Sequence, residues 1–482
     1  MANTFPARTM TSPRLAIMNY PNVGSGSRKG VDRNESRHTM MHKIFYVYLL
    51  AVTCLLSACS TQQRIIKKAS YSLINDPALK EAHVGILIQD ADKSTPQYSY
   101  QSKKLFTPAS NVKIISCYAA MKYLPEQLPA AIVTDIDTAV IITPTGDPTF
   151  LHPDFQIHPL FEKLRSINKP MYIVDQNWNS PSLGPGWSWD DYNYHYMAER
   201  SAFPIYGNLI KWFQEKSKKE NPSHPGDTTD IFVYSIPDVT WPVNFGKPGK
   251  KFSVERDMHQ NKFTIYEGEQ SSASSSIPFI TNRIETALVL LRDTLHKDII
   301  KAENDILSNA TEKKKETIYS QSTDSLLKKM MYRSDNFYAD QSLEMVSQLT
   351  LQKMDESAII KHLLSNDLSG ISTSVTWVDG SGLSRYNQFS PADMVFVLNK
   401  LKTEFPWETI SNIFPIVGTG NSSSTSGNII YAKSGSMRGI YCLSGYVFTK
   451  KKKWLSFSIM INDHASTASE LRRKVVGVLE DL

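Results

Sequence analysis

Cysteine is scarce in this chain. There are four in 482 residues, at 54, 59, 117 and 442, with no Cys-x-x-Cys pair. That excludes a disulfide-stapled scaffold and a zinc ribbon, and neither a metal nor a cofactor is expected. Apolar runs long enough to cross a bilayer are also missing. The run Ile44–Leu56 has thirteen residues, against the roughly 20 that a membrane-spanning helix needs. An excess of one charge is lacking as well. Lys and Arg number 53 against 47 Asp and Glu, but residues 1–58 hold seven of the basic and two of the acidic ones, leaving 46 against 45. So balanced a body carries no electrostatic footprint for nucleic acid. What remains is a globular composition, 41% hydrophobic, long enough for two or three domains.

The leader explains the early charge. His42-Lys43 precedes the thirteen-residue run, as in a secretory h-region. Leu56-Ser57-Ala58-Cys59 then resembles a bacterial lipobox, which makes Cys59 the lipidated first residue of the mature chain. Residues 1–39 show no apolar period, so translation is expected to start at Met40 or Met41. The expectation is a lipoprotein facing the periplasm, held to the membrane by its lipid anchor only. Ser60, in place of an aspartate, points by resemblance to the outer membrane.

Along the mature chain, Gln62–Ile74 has helical period, and His83–Ile88 reads as a buried strand with a second near Gln97–Tyr100. A helix is expected from Ser110 through Tyr123. Residues 126–278 change to short β-rich pieces between Pro, Gly and Trp loops, as an inserted accessory domain would. Helical period returns over Ile280–Leu295 and Asp324–Met331. Ile440–Phe448 and Trp454–Ile461 read as a hairpin about the solvated turn Lys450–Lys453, and a helix closes the chain from about Ser466. A sheet built from both chain ends and packed by terminal helices is α+β. The expected division is 1–58 leader, 59–125 with 279–482 as one domain, and 126–278 as the insert.

Three short stretches carry chemistry: Ser110-Asn111-Val112-Lys113, Ser334-Asp335-Asn336 and Lys433-Ser434-Gly435. Residues three apart share a helix face, which puts the Ser110 hydroxyl beside the Lys113 amine. A buried lysine near other cations loses its proton near neutral pH and can serve as base. Ser334 and Asn336, two apart, suit a turn that aims both into a site, Ser334 to relay a proton and Asn336 to bind a substrate carbonyl. A helix cap is the structural alternative there. Lys433 and Ser434 suit a carboxylate, and Gly435 lets a backbone approach closely. Two further Ser-x-x-Lys matches, at 166–169 and 325–328, read as chance. The three stretches stand 221 and 97 residues apart in a fixed order.

The set S-x-x-K, S-D-N, K-[ST]-G marks penicillin-binding proteins and β-lactamases. The chain resembles the class C low-molecular-weight penicillin-binding proteins, the D-alanyl-D-alanine carboxypeptidase/endopeptidase family. The likeness is carried by residues 106–113, Gly146–Phe150, Gly186–Asp191, Ser334–Ala339, Asp379–Asn387 and Ala432–Gly435, and by the long gap after the first motif. It implies an antiparallel transpeptidase-like sheet flanked by helices, with an inserted domain. It also implies acyl-enzyme chemistry on peptidoglycan peptides, and β-lactams as ligands. Ser110 would be nucleophile and Lys113 base, with the N–H groups of Ser110 and Ser436 as oxyanion hole. Lys433 and Ser434 would hold the terminal carboxylate. Leu383, Arg385 and Asp175 would line a side-chain pocket. Ser434 replaces the family's threonine, and Gly420–Gly427 is a shortened, serine-rich approach to the third motif. Cys117 and Cys442 are expected near each other as free buried thiols, with a disulfide as the alternative. The competing functions are a serine β-lactamase and a non-catalytic wall-binding protein.

Overall fold

The computed structural model describes residues 63–218, 229–302, 314–418 and 427–482. The leader readings, Cys59 among them, and the serine-rich residues 420–426 lie outside the described residues.

Both ends of the chain build one six-stranded sheet. Its order is Ile416–Val417, Ile429–Met437, Ile440–Phe448, Trp454–Asn462, His83–Asp90, Thr95–Tyr100, and every neighbouring pair is antiparallel. His83 pairs with Asn462 and Asp90 with Leu455, which ties the start of the described chain to its end. Strands this apolar need cover on both faces; Ile440–Phe448 is buried at eight of its nine positions. On one face lie the helix at 63–74 and Ala468–Glu480, whose Ile66, Leu73, Leu471 and Val475 pack with Ile86, Leu443 and Phe457. The Thr467 hydroxyl accepts from the Glu470 N–H and caps the second of these helices.

The opposite face meets helices Lys113–Tyr123, Thr323–Arg333, Asn336–Leu351 and Pro391–Glu404. Their Tyr118, Leu326, Leu343 and Val397 share a core with Cys442, Tyr446 and Met460 of the sheet. Residues 113–120 are buried without interruption, so this helix runs through the interior and shows little amphipathic pattern.

Residues from 127 to 322 contribute to a second sheet and core. A five-stranded sheet runs Ile299–Lys301, Met171–Ile173, Val140–Pro144, Gln127–Asp135, Lys314–Ser322. Helix Glu285–Leu295 sinks Leu288, Leu291 and Leu295 into the same core as Ile142 and Ile173. Glu285–Leu295 and Lys314–Ser322 thus belong with this sheet and its core, and helix Thr323–Arg333 follows. Helical period reveals that a face is buried; it does not say against which core. Two three-stranded sheets complete the segment, one of Val243–Phe245, Phe263–Tyr266 and Ser253–Arg256, the other of Ser272–Pro278, Leu209–Lys218 and Thr229–Ile236.

Candidate active site

Ser110 lies on a 3-10 turn, Ala109–Val112, that feeds helix Lys113–Tyr123; the α-helix itself starts three residues after the serine. The turn is tight. Ala109 takes a left-handed φ of +47°, which costs an L-residue about 1–2 kcal/mol. Two glycines surround it. A Cβ on Gly382 would stand 2.0 Å from the Ala109 carbonyl oxygen, and one on Gly435 would stand 2.6 Å from that of Pro108 and 2.8 Å from the Ser110 nitrogen. Gly435 admits the close approach of the 108–111 backbone.

Lys113 is fully buried. Its Nζ donates to Ser110 Oγ at 3.1 Å, to Asn336 Oδ1 at 2.7 Å and to the Ser381 carbonyl at 2.6 Å. All three ammonium donors are thereby used. Burial pushes its pKa down to about 8, against the opposing pull of Asp340, Asp379 and Asp335. The Ser381 carbonyl is aimed by Asp379, whose carboxylate accepts from the N–H groups of Gly382 and Ser384, from Asn387 Nδ2 and from Trp187 Nε1.

The second motif joins two helices. Ser334 ends Thr323–Arg333 in left-handed conformation, φ +59°. Asp335 caps Asn336–Leu351, its side chain accepting from the Tyr338 N–H at 3.0 Å. Capping thus falls to the middle residue, which leaves Ser334 and Asn336 to face the site. The Asn336 amide is committed within the protein. Its Nδ2 donates to the Tyr196 carbonyl at 2.9 Å while Oδ1 accepts from Lys113. In this arrangement Asn336 bridges Lys113 and the Tyr196 carbonyl.

The third motif lies on Ile429–Met437. This strand is second in the sheet, but the two-residue edge strand beside it pairs only with Ile430 and Tyr431, so among the described residues no strand pairs with Lys433–Met437 on that side. Lys433 is 2% exposed, and its Nζ donates to Ser334 Oγ at 2.9 Å and to the Ser434 carbonyl at 2.6 Å. Burial, then the charge of Lys113, holds its pKa well below the ordinary lysine value. A cavity of about 450 Å³ opens between the three motifs, lined among others by Ser110, Tyr196, Asn336, Leu383, Arg385 and Ser436. The volume falls in the range of small-molecule sites.

Leu383 and Arg385 both line this cavity, and Arg385 also donates to the Arg438 carbonyl at 3.2 Å. Asp175 does not line it. Its carboxylate accepts from Arg283 at 2.8 Å and pairs with Lys301 at 3.2 Å, inside the five-stranded sheet's surroundings. A lone acid in a β-rich stretch gave no sign of this, because both partners lie more than a hundred residues away. The acid that does line the cavity is Asp191, within the Gly186–Asp191 word but assigned no role there. Asp340 was also missed. It is fully buried one turn beyond Asn336, and burial, then Glu356 and Asp379, raises its pKa well above the carboxylate range. Its i+4 spacing from Asn336 was the available signal. Cys117 and Cys442 are free, buried thiols in one core.

A profile described as the D-Ala-D-Ala carboxypeptidase 3 (S13) family matches residues 67–482. The chain is 23% identical over 434 residues to the D-alanyl-D-alanine carboxypeptidase DacB of Haemophilus influenzae, covering 82% of this chain and 88% of the relative. It is 22% identical over 437 residues to the D-alanyl-D-alanine carboxypeptidase of Actinomadura sp. strain R39, covering 82% and 81%. The crystal structure of penicillin-binding protein 4 (dacB) from Haemophilus influenzae superposes with a TM-score of 0.63 at 20% identity, over 86% of this chain and 98% of that one. The fold is the penicillin-binding α+β fold. The chain belongs to the D-Ala-D-Ala carboxypeptidase 3 (S13) family, the class C low-molecular-weight penicillin-binding proteins, and is a serine DD-peptidase of cell-wall remodelling.

Proposed function

We propose that Ser110 is the acylated nucleophile of this DD-peptidase and Lys113 its general base. The observation that carries the reading is the 3.1 Å contact between Lys113 Nζ and Ser110 Oγ, with the amine held by Asn336 and the Ser381 carbonyl. The neutral amine takes the seryl proton as Oγ attacks the penultimate D-Ala carbonyl carbon. The tetrahedral oxyanion is met by the N–H groups of Ser110 and Ser436. The C–N bond then breaks, and the leaving amine takes a proton from Ser334 Oγ, resupplied along Lys433 and Lys113. Water, deprotonated by Lys113, attacks the ester carbonyl and releases Ser110. Lys433 and the Ser434 hydroxyl neutralise the terminal carboxylate, and Leu383 and Arg385 receive the substrate side chain.

The same reading includes peptidoglycan peptides as substrates and β-lactams as acylating inhibitors. A β-lactam complex is known for the Haemophilus influenzae protein, whose structure aligns with a TM-score of 0.60 at 19% identity. Envelope residence follows from the substrate. The finer placement rests on the Leu56–Cys59 sequence alone: a lipid anchor on Cys59, at the outer membrane. The division into a catalytic part and an inserted part belongs to this proposal too.

A fluorescent penicillin tests it. Stable labelling that Ser110→Ala abolishes supports the peptidase. Labelling that turns over rapidly favours a β-lactamase, and no labelling favours a binding protein. Digestion of muropeptides, with the products weighed, then assigns the bond cut.

A further inference from the structure

The inserted segment turns an unusual face to solvent. In the sheet of Ser272–Pro278, Leu209–Lys218 and Thr229–Ile236, the register sets Lys211 between Ser276 and Ile236, Phe213 between Ser274 and Tyr234, and Glu215 between Ser272 and Phe232. Strand alternation sends these nine side chains to one side. Ile210, Trp212, Gln214, Ser235 and Ile277 take the other side and are buried. The outer face therefore has a row of large apolar groups along one edge and a row of serines along the other. Phe232, Tyr234 and Ile236 are 56%, 42% and 53% exposed. Between the rows, Phe213 stacks on Tyr234 with ring centres 5.0 Å apart, and Lys211 Nζ stands 5.0 Å over the Phe213 ring.

A contiguous exposed apolar row marks a contact surface. Its occupant follows from where the face leads. Lys211, Phe213, Ile236 and Ser276 form one wall of a cavity of about 650 Å³, and Ser334 and Asn336 of the second motif line it too. Tyr196 and Asn336 line both this cavity and the catalytic one. A ligand lying on the face is thus continuous with the reaction centre. Flat rings facing a hydroxyl row match a saccharide, whose C–H faces lie on aromatic rings while its hydroxyls reach polar partners. An apolar protein or lipid surface would instead strip water from the serines without replacing their hydrogen bonds. The lysine can donate to the hydroxyl and amide oxygens of such a saccharide.

We propose that this face and its cavity bind the glycan strand of the substrate, the amino-sugar chain that carries the peptide cleaved at Ser110. The inference rests on the peptidoglycan reading above and adds the part of the polymer that the insert recognises. The test uses the described full chain, with Phe213→Ser/Tyr234→Ser as a double variant and Lys211→Glu as a second, independent one. Three quantities are compared: kcat/KM on a glycan-free D-Ala-D-Ala pentapeptide, kcat/KM on pentapeptides still attached to glycan strands, and binding of peptide-free glycan strands. Wild type is expected to prefer the glycan-linked substrate. Both variants are expected to lose tenfold or more on it, through KM, and to lose glycan binding, while the free pentapeptide and penicillin acylation change less than twofold. Equal wild-type rates on both substrates, an equal fall on both in the variants, or a wild-type dimer that the variants dissolve would overturn the inference. A wild type inert to free peptide and penicillin would sink the peptidase reading instead, and binding of peptide-free glycan would still decide this one.

Discussion

The part of the molecule that carries the three motifs and the inserted part solve their polar problems differently. Around Ser110 the polar groups are buried and turned inward: Lys113, Lys433, Asp340 and Asp379 are 0–2% exposed, and each lysine is held by partners from another motif or loop. In the insert, the charge singled out is paired structurally, Asp175 with Arg283 and Lys301, and a three-stranded sheet turns one face outward. The difference teaches that reactive chemistry sits where lysines are desolvated against uncharged partners. Lys113 and Lys433 are so held and their pKa values are lowered, whereas Asp175 meets opposite charges.

The strongest way to break that contrast is to remove the proposed nucleophile. Ser110→Ala should cut peptidase activity by on the order of 10⁴–10⁶ and abolish penicillin labelling, with the melting temperature unchanged; residual labelling would place the nucleophile elsewhere. Next is the joint between the two parts. Arg200, beside the insert's Ser201, makes a buried ion pair with Glu356, which also accepts from the Gly380 N–H of the loop that aims Ser381. Arg200→Ala leaves a buried carboxylate and should cost about 3–5 kcal/mol, read from denaturant unfolding. An unchanged midpoint would mean that the two parts are energetically independent.

A subtler probe is Gly435→Ala. Its Cβ meets the nucleophile turn at 2.6–2.9 Å, so overpacking should cost about 1–3 kcal/mol and slow acylation tenfold or more. Gly427→Ala, where an added Cβ meets none of the described residues within 4 Å, serves as the comparison. The lysine base can be read by pH. Because its pKa is lowered to about 8, the amine is protonated below that value and free above it. Acylation by penicillin should therefore rise about tenfold per unit below pH 8 and level off above it. Stability follows the same sign: between pH 8 and the ordinary lysine range the unfolded chain binds the extra proton, so stability rises with pH there. The smallest effect is expected from Asp175→Asn, which loosens a partly exposed ion pair worth at most about 1 kcal/mol. It should leave kcat/KM unchanged, and a tenfold fall would return Asp175 to the substrate.

Much of the fold was legible because local pattern and tertiary need agree. The helix at 63–74, the strands from His83 and Ile440, and the closing helix came from hydrophobic period, and the structure sets them within a few residues of the expected bounds. The helix from Ser110 was half right: Ala109 with φ +47° and the 3-10 turn depend on glycines 273 and 326 residues away, which no local signal encodes. Which core the helix after residue 280 packs on is not legible for a like reason. Glu285–Leu295 looks amphipathic on any core, and only the pairing of Lys314–Ser322 with Gln127–Asp135 assigns it.

By itself the sequence determined the inventory of the reaction: a serine, two lysines, a second serine and an amide, in an order and spacing that side-chain chemistry makes meaningful. Tertiary structure alone decided that Lys113 is dry and held by three acceptors, that Gly435 faces the nucleophile turn, and that Asp175 is a strut while Asp191 faces the cavity. The reason is physical. Residue type sets what a group can donate or accept, whereas desolvation and close approach are made by neighbours hundreds of residues away along the chain.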